Sequence, residues 1–165
     1  MSGRLAGIAR RGERRAPMEE IAAAEVSLEA GVAGDHKGPK FNKRQVTVLA
    51  REDWRTALGD LAGGAGSPVD LCWTTRRANL LVEAVRLPRA KGARLAIGDS
   101  VELEVTGQTV PCGRMEEAYP GLLKALYPEW RGGVTCRVLS GGRIVTGDRV
   151  VVTFSPPGVR RKLPG

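Results

Sequence analysis

The chain has 165 residues, of which 42% are hydrophobic and 27% charged, and it carries a formal net charge of +8. This composition excludes wholesale disorder, and the length suits one domain with a buried core better than two. No run approaches the roughly 20 apolar residues of a membrane-spanning helix, and no export signal precedes Arg10 and Arg11, so we expect a soluble, cytoplasmic protein.

In chain order, the sequence predicts short strands and few helices. The first basic cluster, Arg10, Arg11, Arg14 and Arg15, is expected to be a solvated, partly frayed end. Alternating or β-branched runs predict strands over residues 45–50, 79–85, 101–106, 134–138 and 149–154, and apolar residues at helical spacing predict helices over 52–61 and 120–127. The sequence therefore predicts a mainly β fold over residues 1–154, followed by a basic, flexible tail over 155–165.

Turn residues divide these strands. Gly98-Asp99 and Gly147-Asp148 each precede a valine-containing run and predict tight turns, where glycine tolerates a positive φ. Gly-Asp pairs of this kind often mark the entrances of β-barrels, and the Ser-Gly-Gly-Arg stretch over 140–143 predicts a hairpin turn of such a barrel.

The three cysteines are widely spaced and odd in number, which argues against a disulfide framework and against zinc. Cys136 lies on the apolar face of an alternating strand and is expected to be an inert core thiol, and Cys72, between two apolar residues, is expected to resemble it. The lone His36 lies in a loop, where solvation is a commoner role than catalysis.

Cys112 differs from the other cysteines because it follows a strand end at Pro111 and precedes Gly113, Arg114 and a short segment that can form a helix. Amide dipoles and a nearby arginine stabilise a thiolate, which is the form that acts as nucleophile or metal ligand. A half-buried small residue at a strand end is the alternative interpretation, and Pro-Cys-Gly alone does not exclude it.

The Arg76-Arg77-Ala78-Asn79 segment stands directly before an apolar strand. Arginine binds phosphate oxygens bidentately and asparagine both donates and accepts, so an anionic ligand could dock there; a basic strand edge that discourages aggregation is the equal alternative. Walker loops, dinucleotide-binding glycine fingerprints, hydrolase nucleophile elbows and zinc-protease helices are absent from the sequence.

Six short segments then follow one another in a recognisable order: residues 31–35, 44–49, 77–83, 97–99, 111–112 and 131–134. Together they resemble the MOSC family, the domain found at the C-terminus of molybdenum cofactor sulfurases, over about residues 5–154. The resemblance implies a β-barrel decorated by short helices. Two departures are Ala84, where family members commonly have glycine, and residues 87–91, where they have a leucine-rich spacer.

The resemblance also implies a site. Cys112 would ligate molybdenum in a bound pterin cofactor or carry sulfur as a persulfide, while Arg77 and Asn79 would help to hold the pterin and its phosphate. Asp35 matches the family's Gly-Asp pattern, Arg44 opens a strand that would border the same pocket, and Arg114 would stabilise the thiolate. No pyridoxal-phosphate domain accompanies these motifs, so sulfur or electrons would come from a separate protein.

Three functions follow as hypotheses. The first is a molybdenum-dependent oxidoreductase that reduces N-hydroxylated compounds, and the second is a cofactor-free sulfurtransferase that uses Cys112 as its persulfide carrier. The third is a basic β-barrel that binds nucleic acid; it ranks last, because aromatic residues make up only 4% of the chain and leave few platforms for base stacking.

Overall fold

The computed structural model of the protein describes residues 2–39, 43–61 and 69–156. Within them the strands are β1 (Ser2–Arg10), β2 (Glu19–Ile21), β3 (Ala23–Ser27), β4 (Gly31–Val32), β5 (Val46–Ala50), β6 (Leu80–Glu83), β7 (Arg94–Ile97), β8 (Val101–Gln108), β9 (Val134–Ser140), β10 (Gly142–Val145) and β11 (Arg149–Phe154). The helices are α1 (Arg51–Leu61), α2 (Gly113–Ala118) and α3 (Leu122–Leu126), with 3-10 turns over Trp73–Arg76 and Pro128–Trp130. The predicted helix over 52–61 and the predicted strand over 149–154 are confirmed.

Seven strands close into a barrel in the order β1-β6-β5-β9-β8-β7-β11, and β11 returns to pair with β1. All of these pairings are antiparallel except that of β5 with β6, which is parallel. A closed barrel leaves no unpaired edge among its members, and its alternate side chains fill the interior. The predicted mainly β barrel with few helices is thus confirmed.

The barrel interior is the main core. In β8, Val101, Leu103 and Val105 are buried while the residues between them are half-buried, which is the alternation that the sequence predicted. Cys136 of β9 is fully buried beside them, as expected, and burial raises the pKa of its thiol far above the ordinary range. Each fully buried leucine contributes about 2 kcal/mol to folding.

The helices cover one side of the barrel and build a second apolar cluster. Trp54 of α1 is buried there, and its indole Nε1 donates to the carbonyl of Leu71 at 3.0 Å. Met115 of α2 and Leu122 and Leu126 of α3 complete the cluster. None of the helices in the described ranges is long and apolar enough to cross a membrane.

The structure corrects three expectations. The N-terminal segment is not a frayed end: β1 joins β6 and β11 and closes the barrel, and Arg10 ends this strand. Arg14 and Arg15, in the turn that follows, are exposed as expected. Residues 140–143 do not form a hairpin of the barrel, because β10 leaves it and pairs with β3, which pairs with β4 in a separate small sheet. Cys72 is exposed, because it precedes a 3-10 turn at the surface. Most of the predicted tail, residues 157–165, lies outside the described residues.

Turn geometry bears on Ala84, where the family that the sequence resembles commonly has glycine. Gly98 and Gly147 have φ of 62° and 99°, which confirms both predicted Gly-Asp turns. Ala84, directly after β6, also has a positive φ, 61°. A Cβ atom is unfavourable in this conformation, so glycine fits position 84 better than alanine does.

Candidate functional site

Cys112 lies at the rim of the barrel, immediately before α2, with its thiol exposed. Its carbonyl accepts a hydrogen bond from the Met115 amide at 2.9 Å, and the Met115 side chain is buried in the helix cluster. The backbone that presents the thiol is therefore anchored, although the sulfur itself faces solvent.

A cavity of about 300 Å³, here called the central cavity, opens beside this thiol. Its wall holds seven cationic side chains and, among the described residues, no carboxylate. The seven are Arg11, Arg14, Lys37, Arg44, Arg76, Arg77 and Arg114. Such a concentration of one sign of charge creates a strongly positive potential around Cys112.

The positive charge of this wall is not neutralised by ion pairs. Six salt bridges connect described residues, and every one of them joins side chains elsewhere, such as Arg131 with Asp60 and Arg137 with Glu104. Asp35, behind the wall, offsets part of the charge of Arg11 and Lys37, and Arg76 and Arg77 donate to backbone carbonyls. None of the seven cations is in a salt bridge with another described residue, so the wall keeps a net positive charge that can attract an anionic ligand.

Arg76 is the buried member of this group and shapes the loop that leads to the thiol. Its Nε donates to the carbonyl of Gly132 at 3.0 Å and its Nη2 to the carbonyl of Thr109 at 2.8 Å. Burial lowers the pKa of Arg76 to about 10, an effect that the neighbouring Cys112 opposes. A side chain at position 132 would collide with this arrangement, since its Cβ would lie 2.6 Å from the Thr109 carbonyl oxygen. Arg76 thus ties the Cys112 loop to the turn before β9.

Asp35 and Lys37 support the opposite wall. Asp35 is buried, and its carboxylate accepts hydrogen bonds from the backbone amides of Arg11 at 3.2 Å and Lys37 at 3.3 Å. The Lys37 ammonium lies 3.5 Å from the hydroxyl of Thr47. Burial lowers the pKa of Lys37 to about 8; Asp35 opposes this shift, and the arginines around the cavity add to it. Lys37 therefore loses its charge at a lower pH than an ordinary lysine.

Three buried polar atoms in the described part of the chain lack a hydrogen-bond partner: Nη1 of Arg11, Nε of Arg77 and Oγ1 of Thr109. All three residues line the central cavity. A buried polar group without a partner costs about 1 to 3 kcal/mol, and native proteins rarely tolerate several in one place. Their clustering indicates that this cavity is built to receive a polar ligand.

The structure brings together four of the residues predicted from the sequence: Cys112, Arg44, Arg77 and Arg114 all line the cavity. It places the other two behind the wall. Asp35 acts through backbone amides, and Asn79 is 1% exposed, with its Oδ1 accepting from the Thr47 amide at 3.0 Å and its Nδ2 donating to the Ala9 carbonyl at 3.2 Å. Asn79 therefore joins β1 and β5 to the start of β6, and it is not among the residues that line the cavity.

Four residues that line the central cavity were not predicted from the sequence as part of the site: Lys37, Thr109, Arg11 and Arg14. The N-terminal arginines were visible as a cluster, but their position near Cys112 depends on β1 being a barrel strand. No sequence pattern marks Thr109, because its hydroxyl stands out only by being buried without a hydrogen-bond partner among the described residues.

Two wider cavities flank the central one. The helix-side cavity, about 650 Å³, shares Arg77, Arg114 and Met115 with it and adds Arg15. The strand-side cavity, about 630 Å³, shares Arg44, Val110 and Cys112. Cys112 therefore stands between the central and strand-side cavities.

The fold and site together define a closed β-barrel with a thiol at its rim and a basic pocket suited to an anionic ligand. A profile of the MOSC domain matches residues 34–151, which is more than two thirds of the chain. The chain belongs to the MOSC domain family.

Solved structures agree with this fold. The chain is similar to the YuaD protein from Bacillus subtilis, with 17% identity, a TM-score of 0.72 and coverage of 91% of this chain and 94% of the other. It is also similar to YiiM from Geobacillus stearothermophilus, with 17% identity, a TM-score of 0.63 and coverage of 94% and 75%. YiiM from Escherichia coli gives 14% identity, a TM-score of 0.60 and coverage of 92% and 70%. No curated protein shows significant similarity to the chain.

Proposed function

We propose that the chain binds the molybdenum cofactor in the central cavity, with Cys112 as the protein's thiolate ligand to molybdenum or as a persulfide carrier. The observation that carries this proposal is the coincidence, around one exposed thiol, of three buried polar atoms without a described partner and seven cations that form no salt bridge with the described residues. A reducing cytoplasm, which keeps that thiol unoxidised, is the proposed compartment.

The residues present fit a phosphorylated pterin. The vacant Nη1 of Arg11 and Nε of Arg77 are donors, and the Thr109 hydroxyl can both donate and accept, which matches the oxygens and ring nitrogens of such a ligand. Arg77 and Arg114 line both the central and the helix-side cavity, so they would hold the phosphate where the two cavities meet. Arg15 and Glu117 line the helix-side cavity only. Cys112, whose thiol is exposed beside this cavity, would supply the thiolate ligand to the metal.

Asn79 and Asp35 would act as positioning residues. Asn79 follows Arg77 by two residues and accepts from the Thr47 amide at the start of β5, and Asp35 holds the backbone of Arg11 and Lys37. Loss of either side chain would weaken ligand binding by displacing residues of the cavity wall, since neither side chain would contact the ligand itself.

When bound, the cofactor would supply the redox chemistry for reduction of an N-hydroxylated compound. Cys112 would hold the metal at the rim, with its sulfur accessible from the strand-side cavity. The alternative, sulfur transfer, is favoured by the exposure of the thiol, because a persulfide carrier must meet its donor at the surface. In either case a separate protein would supply electrons or sulfur.

The test is molybdenum content after expression in a host that makes the cofactor. We expect metal in the wild-type protein and in Cys72→Ser, which removes the other exposed thiol, and loss of metal in Cys112→Ser. Wild-type protein without molybdenum would contradict the cofactor proposal.

Sulfur transfer has a separate test. After incubation with a cysteine desulfurase and cysteine, the mass of the wild-type protein should rise by about one sulfur atom, and peptide mapping should place it on Cys112. Absence of this adduct would exclude the carrier role.

A further inference from the structure

We propose that the strand-side cavity is a second anion-binding site and that the substrate reaching Cys112 is a small organic anion. The inference rests on the proposed function, because it takes Cys112 as the group at which the reaction occurs. It adds the chemical class of the substrate and a substrate site that is separate from the cofactor site in the central cavity.

The lining of this cavity is the first argument. Lys43, Arg44 and Lys91 supply three positive charges, and none of its described lining residues is acidic. Hydrogen bonds and ion pairs among the described residues leave all three side chains unengaged, whereas Arg4, Arg131 and Arg137 are paired with carboxylates. Gln108 also lines the cavity, and its side-chain amide offers both a donor and an acceptor.

The second argument is the rigidity of the cavity floor. The ladder between β8 and β9 shifts register between Val105 and Gly107, a bulge of the kind that often lies beside active sites. The Thr106 hydroxyl lies 2.9 Å from the Thr135 hydroxyl and also donates to the Lys43 carbonyl, which fixes the backbone that carries Lys43. A preorganised floor under unpaired cations lowers the ordering cost of binding.

The third argument is the position of Cys112 between two cavities. The central cavity holds the unpartnered donors assigned to the cofactor, while the strand-side cavity approaches the same thiol from the other side and is wide enough, at about 630 Å³, for a small organic molecule. Val110, 59% exposed at its edge, offers an apolar contact for the carbon skeleton of such a molecule.

Charge-selective alkylation of Cys112 tests this site without requiring the cofactor. Iodoacetate and iodoacetamide are similar in size and differ in charge, so the ratio of their rate constants reports the local preference for an anion. The background is Cys72→Ser, which leaves Cys112 as the exposed thiol, since Cys136 is buried. Intact mass at fixed pH gives both rates.

The test variant is Lys43→Glu with Lys91→Glu, which reverses two charges that line the strand-side cavity and not the central one. We expect the iodoacetate-to-iodoacetamide ratio to fall by about fivefold at low ionic strength. The matched control, Lys124→Glu with Arg143→Glu, makes the same total change in charge at exposed positions outside both cavities and should leave the ratio unchanged.

An unchanged ratio in the test variant, or an equal fall in the control, would overturn the anion site. The molybdenum content of the wild-type protein tests the proposed function independently, so failure of the anion site can be told apart from failure of the cofactor proposal. A fall confined to the test variant supports the anion site even where the wild-type protein lacks molybdenum, and in that case only the cofactor assignment fails.

Discussion

Replacing Thr109 by valine should stabilise the ligand-free protein while weakening anion binding. The Thr109 hydroxyl is buried without a partner, whereas its backbone amide and carbonyl are bonded to Gly133 and Arg76 and would be unaffected. Valine has nearly the same shape, so the substitution removes the desolvation cost of the hydroxyl. We expect a gain of about 1 to 2 kcal/mol in the free energy of unfolding.

Thr135→Val is the matched control, because the Thr135 hydroxyl is buried but bonded. It lies 2.9 Å from the Thr106 hydroxyl and donates to the Gly107 carbonyl at 3.3 Å. The same chemical change should here cost about 1 to 2 kcal/mol, since it leaves partners unsatisfied. Two Thr→Val variants of one protein are therefore expected to shift stability in opposite directions.

Urea unfolding followed by tryptophan fluorescence measures both variants, and the rise in Tm with inorganic phosphate measures anion binding. Loss of one hydrogen bond to a charged ligand should weaken phosphate binding by about tenfold in Thr109→Val. Equal destabilisation by the two variants, together with an unchanged phosphate effect, would show that the Thr109 hydroxyl is not reserved for a ligand.

Three further predictions follow from single residues. Ala84→Gly should raise the free energy of unfolding by about 1 kcal/mol, because it relieves a positive φ; a lower urea midpoint would contradict this. The folded-state pKa of Lys37, about 8, lies below its ordinary value of 10.5, so the unfolded chain binds more protons between these values and the protein gains stability as pH rises across them. Phosphate binding should weaken as the pH rises through about 8, because Lys37 loses its charge there. In Tm measurements, Lys37→Met should reduce the pH dependence of stability and of phosphate binding. Asn79→Ala should cost about 3 kcal/mol in urea unfolding, since it leaves the Thr47 amide and the Ala9 carbonyl unpaired inside the wall; a loss below 1 kcal/mol would refute the positioning role.

The parts of the fold that depend on local pattern were predictable from the sequence. The alternation in β8 and the apolar spacing in α1 each specify a buried face without reference to the rest of the chain. The place of Cys112 before α2 followed in the same way from Pro111 and Gly113. These features are local because side-chain periodicity is set by the geometry of a single strand or helix.

The pairing of strands was not predictable, and the site depends on it. Arg11 follows β1, Lys37 lies in a loop, Arg76 ends a 3-10 turn and Thr109 follows β8, yet all four line one cavity. They meet because β1 closes the barrel against β6 and β11 and because β5 and β6 run parallel, pairings between segments far apart in the chain. Periodicity shows which face of a strand is buried but not which strand lies beside it. The sequence by itself thus determined that a thiol and many cations were present, and only the tertiary structure decided that these cations surround Cys112 with their charges unpaired, because that arrangement is a property of strand order and barrel closure.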